Sequence, residues 1–478
     1  MGLRNLTLAG LAGALVLGAP AAIANAGSGG VPTPGANTGV SASTGASGST
    51  GAIAAAAVAK LDTTMTKAMR GLGNSSGAYV VDLDSGQVLF ADDPTVPRYP
   101  ASVEKLYTLT TALALFGLDG TLQTSVWGVG QVGAGGVWDG DLYLRGGGDP
   151  TFGDQTFIQN WYGGAGTTAG ALASQLIAAT HITRVDGSVI GDESYFDSLR
   201  GDPASGYGPD PNLVGELSAL SFDRGAVGNQ GSPPAHAAWE FAGTLRHAGI
   251  SVSGRSQAGT TPPAAHLLAS VESPPMSELA ALTAGPSDDF FAEMILKAIG
   301  ARFGAGGTTA DGAAVVRSYL AKLGLTPQIV DGSGLSRGDL TSPLAVVTLL
   351  RDLSPGGDAI LQAVGSTLRS ALPIVGETGT LAARMVGTPA AGNCQAKTGT
   401  LSDASDLAGW CDGRFAFALL MNHVVVWKAQ EAQDKMVEAL AKLAAPQSSA
   451  SRPASSSTRT PRRSAFSSFE PGDSPATR

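Results

Sequence analysis

Hydrophobic and polar positions along the chain follow two different periods, which predict both strands and helices. Two short apolar runs, 77–82 and 87–90, flank the turn sequence Leu83–Gly86, a pattern typical of a β-hairpin. From Ser102 to Phe116, apolar residues recur at helical spacing, and a glycine follows where such a helix would end. We therefore predict a hairpin and then a helix in the first part of the folded chain.

The same two patterns return in a different order later in the chain. Helical spacing or composition is found at both ends and in the middle, in residues 53–69, 288–303, 310–323 and 430–443. Strand-like segments cluster near the C-terminal end, at 392–397, 406–411 and 415–421. This order predicts an α+β domain whose sheet combines both ends of the chain.

Residues 122–263 differ in composition from the segments on either side. Short strand-like runs alternate there with glycine-rich turns, and no lysine occurs between Lys105 and Lys297. A shift of this kind is typical of an inserted domain. We therefore predict an insertion over 122–263 in a main domain formed by 53–121 and 264–445.

The two ends of the chain lack the composition of a folded core. A positive start, an apolar stretch from Leu6 to Ile23 and the small residues that follow it predict a signal peptide over 1–26. Export to an extracytoplasmic, wall-associated location follows from it, and a retained membrane anchor is the alternative. Residues 27–52 are typical of a flexible linker and 446–478 of a disordered tail.

Charge and histidine content narrow the classes of function. The 478-residue chain has a net charge of -9 and no basic stripe through its body, which argues against a nucleic acid partner. Its five histidines lie apart from the candidate nucleophiles, and no His/Cys group has metal-ligand spacing. We therefore predict neither a Ser-His-Asp hydrolase nor a metal site, and no cofactor. The oligomeric state stays open.

The chain has two cysteines, Cys394 and Cys411, on consecutive predicted strands. In an oxidising compartment an isolated pair most often forms one disulfide, the alternative being two buried free thiols. Their positions favour the bridge, which would brace the strand that carries Lys397.

The sequence Ser102-Val-Glu-Lys105 opens a predicted helix. A serine and a lysine three residues apart lie on one helix face, within reach of each other. A serine hydroxyl becomes nucleophilic when a base removes its proton, and a neutral lysine can be that base. One of the nine lysines has a serine at this spacing. The same spacing also occurs on ordinary solvated helix faces.

A second motif, Lys397-Thr-Gly399, lies on a predicted strand and occurs once in the chain. It combines a cation, a hydroxyl and a residue without a side chain. The cation can hold a substrate carboxylate, and the glycine lets a neighbouring backbone approach closely. An ordinary strand end is the alternative.

A third motif, Ser287-Asp-Asp289, lies between the other two. Ser287 would be a favourable N-cap, and the two acids would suit the dipole of the helix that follows. The position of the motif in the chain favours an additional role in an active site. Both roles are compatible.

In this order, the three motifs resemble those of the penicillin-binding protein and serine β-lactamase superfamily. The closest resemblance is to the low-molecular-mass class C penicillin-binding proteins, the D-alanyl-D-alanine carboxypeptidase/endopeptidases. Other sequences of that group have counterparts at Gly146–Pro150, Asp331–Arg337, Gly379–Leu381 and Arg384. The resemblance implies a transpeptidase-like domain, an antiparallel sheet with helices on both sides, and a large insertion, which argues against a β-lactamase.

The resemblance also implies a reaction, acyl transfer on peptidoglycan stem peptides. Ser102 would attack a D-Ala-D-Ala peptide bond with Lys105 as general base, and β-lactams would acylate the same serine. The implied catalytic residues are Ser102, Lys105, Ser287 and Lys397. The implied substrate-binding residues are Asp289, Thr398, Gly399 and Thr400. Backbone N–H groups of Ser102 and Thr400 would form the oxyanion hole.

Asp289 departs from the family pattern, which has asparagine at that position. An ionised aspartate donates no hydrogen bond, and an anion beside a lysine keeps the lysine protonated and therefore unable to act as a base. We predict lowered activity with an alkaline optimum. The alternative is a catalytically silent, peptidoglycan-binding pseudoenzyme on the same scaffold.

Overall fold

The structure is a computed structural model that describes residues 53–225 and 232–444. The predicted signal peptide (1–26), linker (27–52) and tail (446–478) lie outside the described residues. Within the described ranges, no helix combines the length and the apolar character needed to cross a membrane.

Helices and strands are interspersed through the described chain. The helices are α1 (Ala55–Met69), α2 (Lys105–Phe116), α3 (Gln155–Tyr162), α4 (Ala169–Thr180), α5 (Pro233–His247), α6 (Met276–Ala284), α7 (Asp289–Phe303), α8 (Thr309–Lys322), α9 (Pro343–Asp352), α10 (Ala359–Ala371) and α11 (Val426–Ala444). The strands are β1 (Ser76–Asp82), β2 (Val88–Asp92), β3 (Gln123–Gly128), β4 (Val137–Trp138), β5 (Leu142–Gly146), β6 (Arg184–Val185), β7 (Val189–Asp192), β8 (Ser251–Val252), β9 (Gln257–Ala258), β10 (His266–Glu272), β11 (Cys394–Leu401), β12 (Ala404–Cys411) and β13 (Phe415–Asn422).

The main sheet is antiparallel and has the strand order β11-β12-β13-β1-β2. Strand β1, from the first part of the chain, lies beside β13, from the last part, with Ser76 opposite Met421 and Asp82 opposite Phe415. The prediction of a sheet that combines both ends of the chain is therefore confirmed.

Helices cover both faces of this sheet, because every residue of β12 and β13 is buried. On one face, Trp410 and Ala416 pack in a cluster with residues of α2, α7 and α9. On the other face, Phe417 and Leu419 pack with residues of α1 and α11. Successive side chains of a strand point to opposite faces, so β12 and β13 each contribute to both clusters. The predicted α+β class is confirmed.

A second, mixed sheet with the order β10-β3-β5-β7-β9 lies mostly in the segment predicted as an insertion. Strand β10 pairs with β3, with Gln123 opposite Glu272, so the chain enters and leaves this sheet at neighbouring points. Because Ala269 of β10 is buried in the core of this sheet, the sheet extends past residue 263. The division of the chain into domains stays a prediction.

Helix α7 connects this segment to the main sheet. Its residues from Phe290 to Gly300 are all buried. Asp288, directly before α7, pairs with Arg224, and Lys297, two turns into α7, pairs with Asp197 at 2.5 Å. Both partners, Arg224 and Asp197, belong to the segment predicted as an insertion. Two ion pairs with buried cations therefore hold the insertion against the helix that begins beside Ser287.

Cys394 and Cys411 lie opposite each other on β11 and β12 and are joined by a disulfide. Both residues are fully buried in the second cluster of the sheet. Because β11 carries Lys397 three residues later, the bridge braces the strand of the second motif, as the sequence predicts.

The double substitution Cys394→Ala/Cys411→Ala is expected to lower the free energy of unfolding by about 3 kcal/mol. A bridge with a sequence separation of 17 removes roughly that much loop-closure entropy from the unfolded chain. Chemical denaturation without reductant measures the difference between the two proteins. Reductant should destabilise the wild type and leave the variant unchanged, and equal stabilities without reductant would contradict the bridge.

Candidate active site

The first motif lies on a short 3₁₀ turn, Ala101–Glu104, directly before α2. The sequence predicts one helix from Ser102, whereas the α-helix itself begins at Lys105. Ala101 has a φ of 46°, a left-handed conformation that is costly for a residue with a Cβ atom. This tight turn brings the Ser102 hydroxyl to 2.8 Å from Lys105 Nζ.

Lys105 is fully buried, and its ammonium group has three partners. Its Nζ donates to Ser102 Oγ at 2.8 Å, to Asp289 Oδ1 at 2.5 Å and to the Ser333 carbonyl oxygen at 2.7 Å. An ammonium has three N–H donors and no acceptor, so this environment satisfies the protonated form completely. Deprotonation is needed before Lys105 can act as a base.

The Ser333 carbonyl belongs to the turn Asp331–Arg337, for which the sequence indicates only a resemblance to the family. Glu293 of α7 accepts hydrogen bonds from the N–H groups of Gly332 and Ser333, at 2.9 and 2.8 Å. Asp331 accepts from the N–H group of Gly334 at 2.7 Å. Two buried carboxyl groups thus fix the turn and aim its carbonyl at Lys105, a role that residue type alone does not signal.

Further acidic side chains are buried around this turn. Burial, and then the nearby charge of Asp331, raise the pKa of Glu104, of Glu293 and of Asp339 well above the usual range. Burial therefore favours the neutral form of these three groups. Asp289 is the carboxylate in direct contact with the Lys105 ammonium.

The third motif meets the second through its serine. Lys397 is fully buried, and its Nζ donates to Ser287 Oγ at 2.7 Å and to the Thr398 carbonyl oxygen at 2.9 Å. Burial, and then the positive charge of Lys105, lower the pKa of Lys397 well below its usual range, against the opposing effect of Asp289. The surroundings of Lys397 thus favour its neutral form.

The predicted helix cap is wrong by one residue. Asp288, not Ser287, is the N-cap of α7, and its carboxylate accepts from the Phe291 N–H at 3.0 Å. Ser287 has a φ of 65° and points its hydroxyl to Lys397 instead. The left-handed backbone of Ser287 turns its side chain towards the active site, while the next residue, Asp288, caps the helix.

Arg224 of the insertion holds this cap in place. Its guanidinium donates two hydrogen bonds to the Asp288 carboxylate, at 2.7 and 3.0 Å, and lies 4.5 Å from the Phe290 ring centroid. It also donates to the carbonyl oxygens of Leu213 and Val214. Sequence analysis does not find this residue, since an isolated arginine in a loop carries no motif.

Asp289 lies in the first turn of α7, in contact with Lys105 as the sequence predicts. Its side chain is 17% exposed. Burial raises the pKa of this carboxyl group, and the contact with Lys105 opposes that change. The side chain therefore lies between the two lysine motifs, with its Oδ1 atom 2.5 Å from Lys105 Nζ.

The remaining predicted residues lie on β11, an edge strand of the main sheet. Thr398 Oγ1 lies 2.8 Å from Thr380 Oγ1, which the sequence analysis mentions only as a family counterpart. A Cβ atom on Gly399 would lie 2.6 Å from the Pro100 carbonyl oxygen, so this position requires glycine. Thr400 is exposed. An edge strand of this kind can accept an extended peptide.

Arg384, which also has a counterpart in the resembling family, contacts helix α11. It donates to Asp434 and Gln433 of α11.

Within residues 53–225 and 232–444, no group of three or more His, Cys, Asp or Glu side chains has the arrangement of a metal site.

The structure thus brings together two serine–lysine pairs, Ser102 with Lys105 and Ser287 with Lys397. Comparison with known sequences agrees with the family resemblance that these motifs indicate. The profile of the D-Ala-D-Ala carboxypeptidase 3 (S13) family matches residues 57–210 and 212–443. The chain belongs to this family of D-Ala-D-Ala carboxypeptidases. The resemblance that the sequence analysis identifies is therefore confirmed.

Two relatives match most of the described chain. A D-alanyl-D-alanine carboxypeptidase of Actinomadura sp. is 30% identical over 439 residues, which cover 73% of this chain and 78% of that protein. The carboxypeptidase DacB of Mycolicibacterium smegmatis is 29% identical over 376 residues, which cover 72% of this chain and 75% of that protein. The predicted carboxypeptidase function is confirmed at the level of the family.

The fold is also found in a solved structure. Penicillin binding protein 4 (dacB) from Haemophilus influenzae superposes with a TM-score of 0.64 at 20% sequence identity, covering 78% of this chain and 97% of that one. The predicted penicillin-binding fold is confirmed by this match.

The substitution Asp289→Asn is expected to raise the acylation rate at neutral pH about tenfold to a hundredfold. The variant removes an anion 2.5 Å from Lys105 Nζ, and this anion opposes loss of a proton from the lysine. A tenfold change in rate corresponds to about 1.4 kcal/mol in the activation free energy. The wild-type rate should rise towards alkaline pH, and the variant should reach its plateau at lower pH. The measurement is the rate of labelling by a fluorescent penicillin from neutral to alkaline pH.

A matched control for this variant is Asp311→Asn. Asp311 also lies in the first turn of a helix, α8, and has no contact with either lysine. Its substitution should leave the labelling rate unchanged. If Asp289→Asn has no effect at any pH, the electrostatic role of Asp289 is wrong.

The substitution Arg224→Met is expected to slow acylation at least tenfold, because it leaves the partly buried Asp288 carboxylate unpaired beside Ser287. Lys297→Met breaks the other ion pair between α7 and the insertion and should cost comparable stability, about 3–5 kcal/mol. Since Lys297 is two turns farther along α7, it should leave acylation unchanged in folded protein. Equal acylation rates in the two variants would assign Arg224 a purely structural role.

Proposed function

We propose that the protein is a serine-type D-alanyl-D-alanine carboxypeptidase that cleaves peptidoglycan stem peptides through an acyl-serine intermediate. Endopeptidase action on cross-linked stem peptides would use the same chemistry with a larger leaving amine. The supporting observation is the pair of serine–lysine contacts, Lys105 to Ser102 and Lys397 to Ser287, on either side of Asp289.

In the first step, Ser102 Oγ attacks the carbonyl carbon of the scissile D-Ala-D-Ala bond. Its proton passes to Lys105, which must first lose one of its own protons. The N–H groups of Ser102 and Thr400 stabilise the oxyanion that forms. The buried position of the lysine strengthens these electrostatic interactions, because water does not screen them.

The second proton route runs through Ser287. Ser287 Oγ accepts a hydrogen bond from Lys397 Nζ, which leaves its own O–H free to donate to the leaving amine. As the C–N bond breaks, the amine takes the proton of the Ser287 hydroxyl, and the proton that Lys105 took from Ser102 replaces it. Water hydrolyses the ester of Ser102 and restores the enzyme.

The substrate is held at the edge of β11. The terminal carboxylate lies against Lys397, Thr398 and Thr400, and the peptide backbone extends along the edge strand. The Thr380 hydroxyl, 2.8 Å from that of Thr398, orients the threonine towards the substrate.

The proposed setting is the extracytoplasmic space, where peptidoglycan is found. The apolar N-terminal sequence supports export by a signal peptide. β-Lactams would acylate Ser102 in place of the peptide. The solved structure of the Haemophilus influenzae penicillin binding protein 4 in complex with a β-lactam supports this proposal.

A silent peptidoglycan-binding scaffold is the second candidate, and one observation favours it. The three acceptors around Lys105 match its charged form, in which it is not a base. Activity then requires that Lys105 lose a proton before it can act as a base.

Mass spectrometry of the protein after incubation with benzylpenicillin is expected to find one adduct, on the peptide that contains Ser102. The adduct should form faster at alkaline than at neutral pH. Ser102→Ala should abolish it, whereas Ser336→Ala, at a serine of the neighbouring turn, should retain it. A wild-type protein without adduct at any pH would favour the silent scaffold.

A further inference from the structure

A cavity of 630 Å³ lies at the opposite end of α2 from the serine–lysine site. Leu115 and Phe116, the last residues of α2, line it, whereas Lys105 begins the same helix. The rise of an α-helix puts these ends about 16 Å apart. The other walls come from β3 and β5 of the second sheet and from the end of α7. No motif of the acyl-transfer site contributes to it.

Two arginines give this cavity a positive wall. Arg145 of β5 is 41% exposed, and its Nε is 4.0 Å from the Asp192 carboxylate. That carboxylate already accepts hydrogen bonds from the N–H groups of Ser194 and Thr261. Arg302 is exposed and, within the described chain, forms no ion pair and no side-chain hydrogen bond. Both guanidinium groups therefore keep N–H donors available for an oxyanion.

Aromatic side chains form the adjoining wall. Phe303 is 39% exposed and packs edge-on against Phe116, with ring centroids 4.8 Å apart. Trp127 lies under Arg145, whose Cζ is 6.0 Å from the ring centroid, and Tyr195 completes the lining. Partly exposed aromatic faces beside fixed polar groups are typical of ligand sites, and they suit the apolar face of a sugar ring.

One acid, Glu272, is hydrogen-bonded to two residues that line the cavity. Glu272 accepts hydrogen bonds from Thr121 and Gln123, both at 2.7 Å. This carboxylate repels a dense polyanion. The combination favours a ligand with an isolated carboxylate attached to a saccharide.

We propose that this cavity binds a peptidoglycan segment at an amino sugar and the carboxylate of its attached peptide. The carboxylate pairs with Arg145 and Arg302, and the sugar stacks on Trp127 and Phe303. This inference rests on the proposed function for the substrate class but concerns a separate site.

The test is calorimetric titration of the whole protein with three probes. They are a disaccharide-tetrapeptide, which lacks the scissile D-Ala-D-Ala bond, the tetrapeptide alone, and neutral tetra-N-acetylchitotetraose. The disaccharide-tetrapeptide should bind at least tenfold more tightly than either of the others. Arg145→Ala/Arg302→Ala should weaken its binding at least tenfold, and Trp127→Ala should weaken binding of both sugar-containing probes.

Matched controls come from another helix of the insertion. Arg246, like Arg302, is an exposed arginine in the last turn of a helix, and Trp239 is an exposed tryptophan. Arg246→Ala and Trp239→Ala should leave all affinities unchanged. Absence of binding by the wild type, unchanged affinity in the double variant, or equally tight binding of the neutral oligosaccharide would overturn the proposal.

Penicillin labelling of the same variants separates this inference from the proposed function. All of them should label at the wild-type rate, because none of the substituted residues belongs to the acyl-transfer site. If the wild type binds the disaccharide-tetrapeptide through the arginines but takes no penicillin, the binding site stands and the serine mechanism fails. If labelling is normal and binding does not depend on the arginines, the cavity proposal fails alone.

Discussion

The buried ammonium of Lys105 is the constraint around which the site is organised. A charge removed from water must be paired and hydrogen-bonded, or its desolvation destabilises the fold by several kcal/mol. Lys105 obtains its three acceptors from the turn before α2, from the first turn of α7 and from the turn that contains Ser333. Each of these segments must therefore be in place before the lysine can be buried, so the nucleophile and its neighbours are positioned together.

At the start of α7, the segment predicted as an insertion and the rest of the described chain contact consecutive residues. Arg224 pairs with Asp288, the cap of the helix, while the preceding residue, Ser287, contacts Lys397 and the following one, Asp289, contacts Lys105. Three consecutive residues thus have three different partners. The left-handed backbone of Ser287 makes this possible, because it turns one side chain away from the direction of the next.

Asp289 changes the distribution of charge between the two lysines. Two buried ammonium groups in one site repel each other, and the pKa of Lys397 is lowered by burial and by the charge of Lys105. The Asp289 carboxylate opposes this lowering of the Lys397 pKa, and it is in direct contact with Lys105 Nζ. One acidic side chain therefore acts on both lysines of the site.

Much of this protein is determined by local sequence. The α+β class, the sheet that joins both ends of the chain, the disulfide and the order of the three motifs follow from periodicity, spacing and residue type, all of which act over short distances. The tertiary structure alone decided that Asp288 is the helix cap, that β10 completes the second sheet, and that Arg224 and the Ser333 carbonyl belong to the site. The physical reason is that the contacting residues are far apart in the sequence. Lys105 meets Asp289 across 184 residues and Ser333 across 228, and a backbone carbonyl has the same chemistry in every residue, so no sequence pattern marks the one that a buried lysine will use.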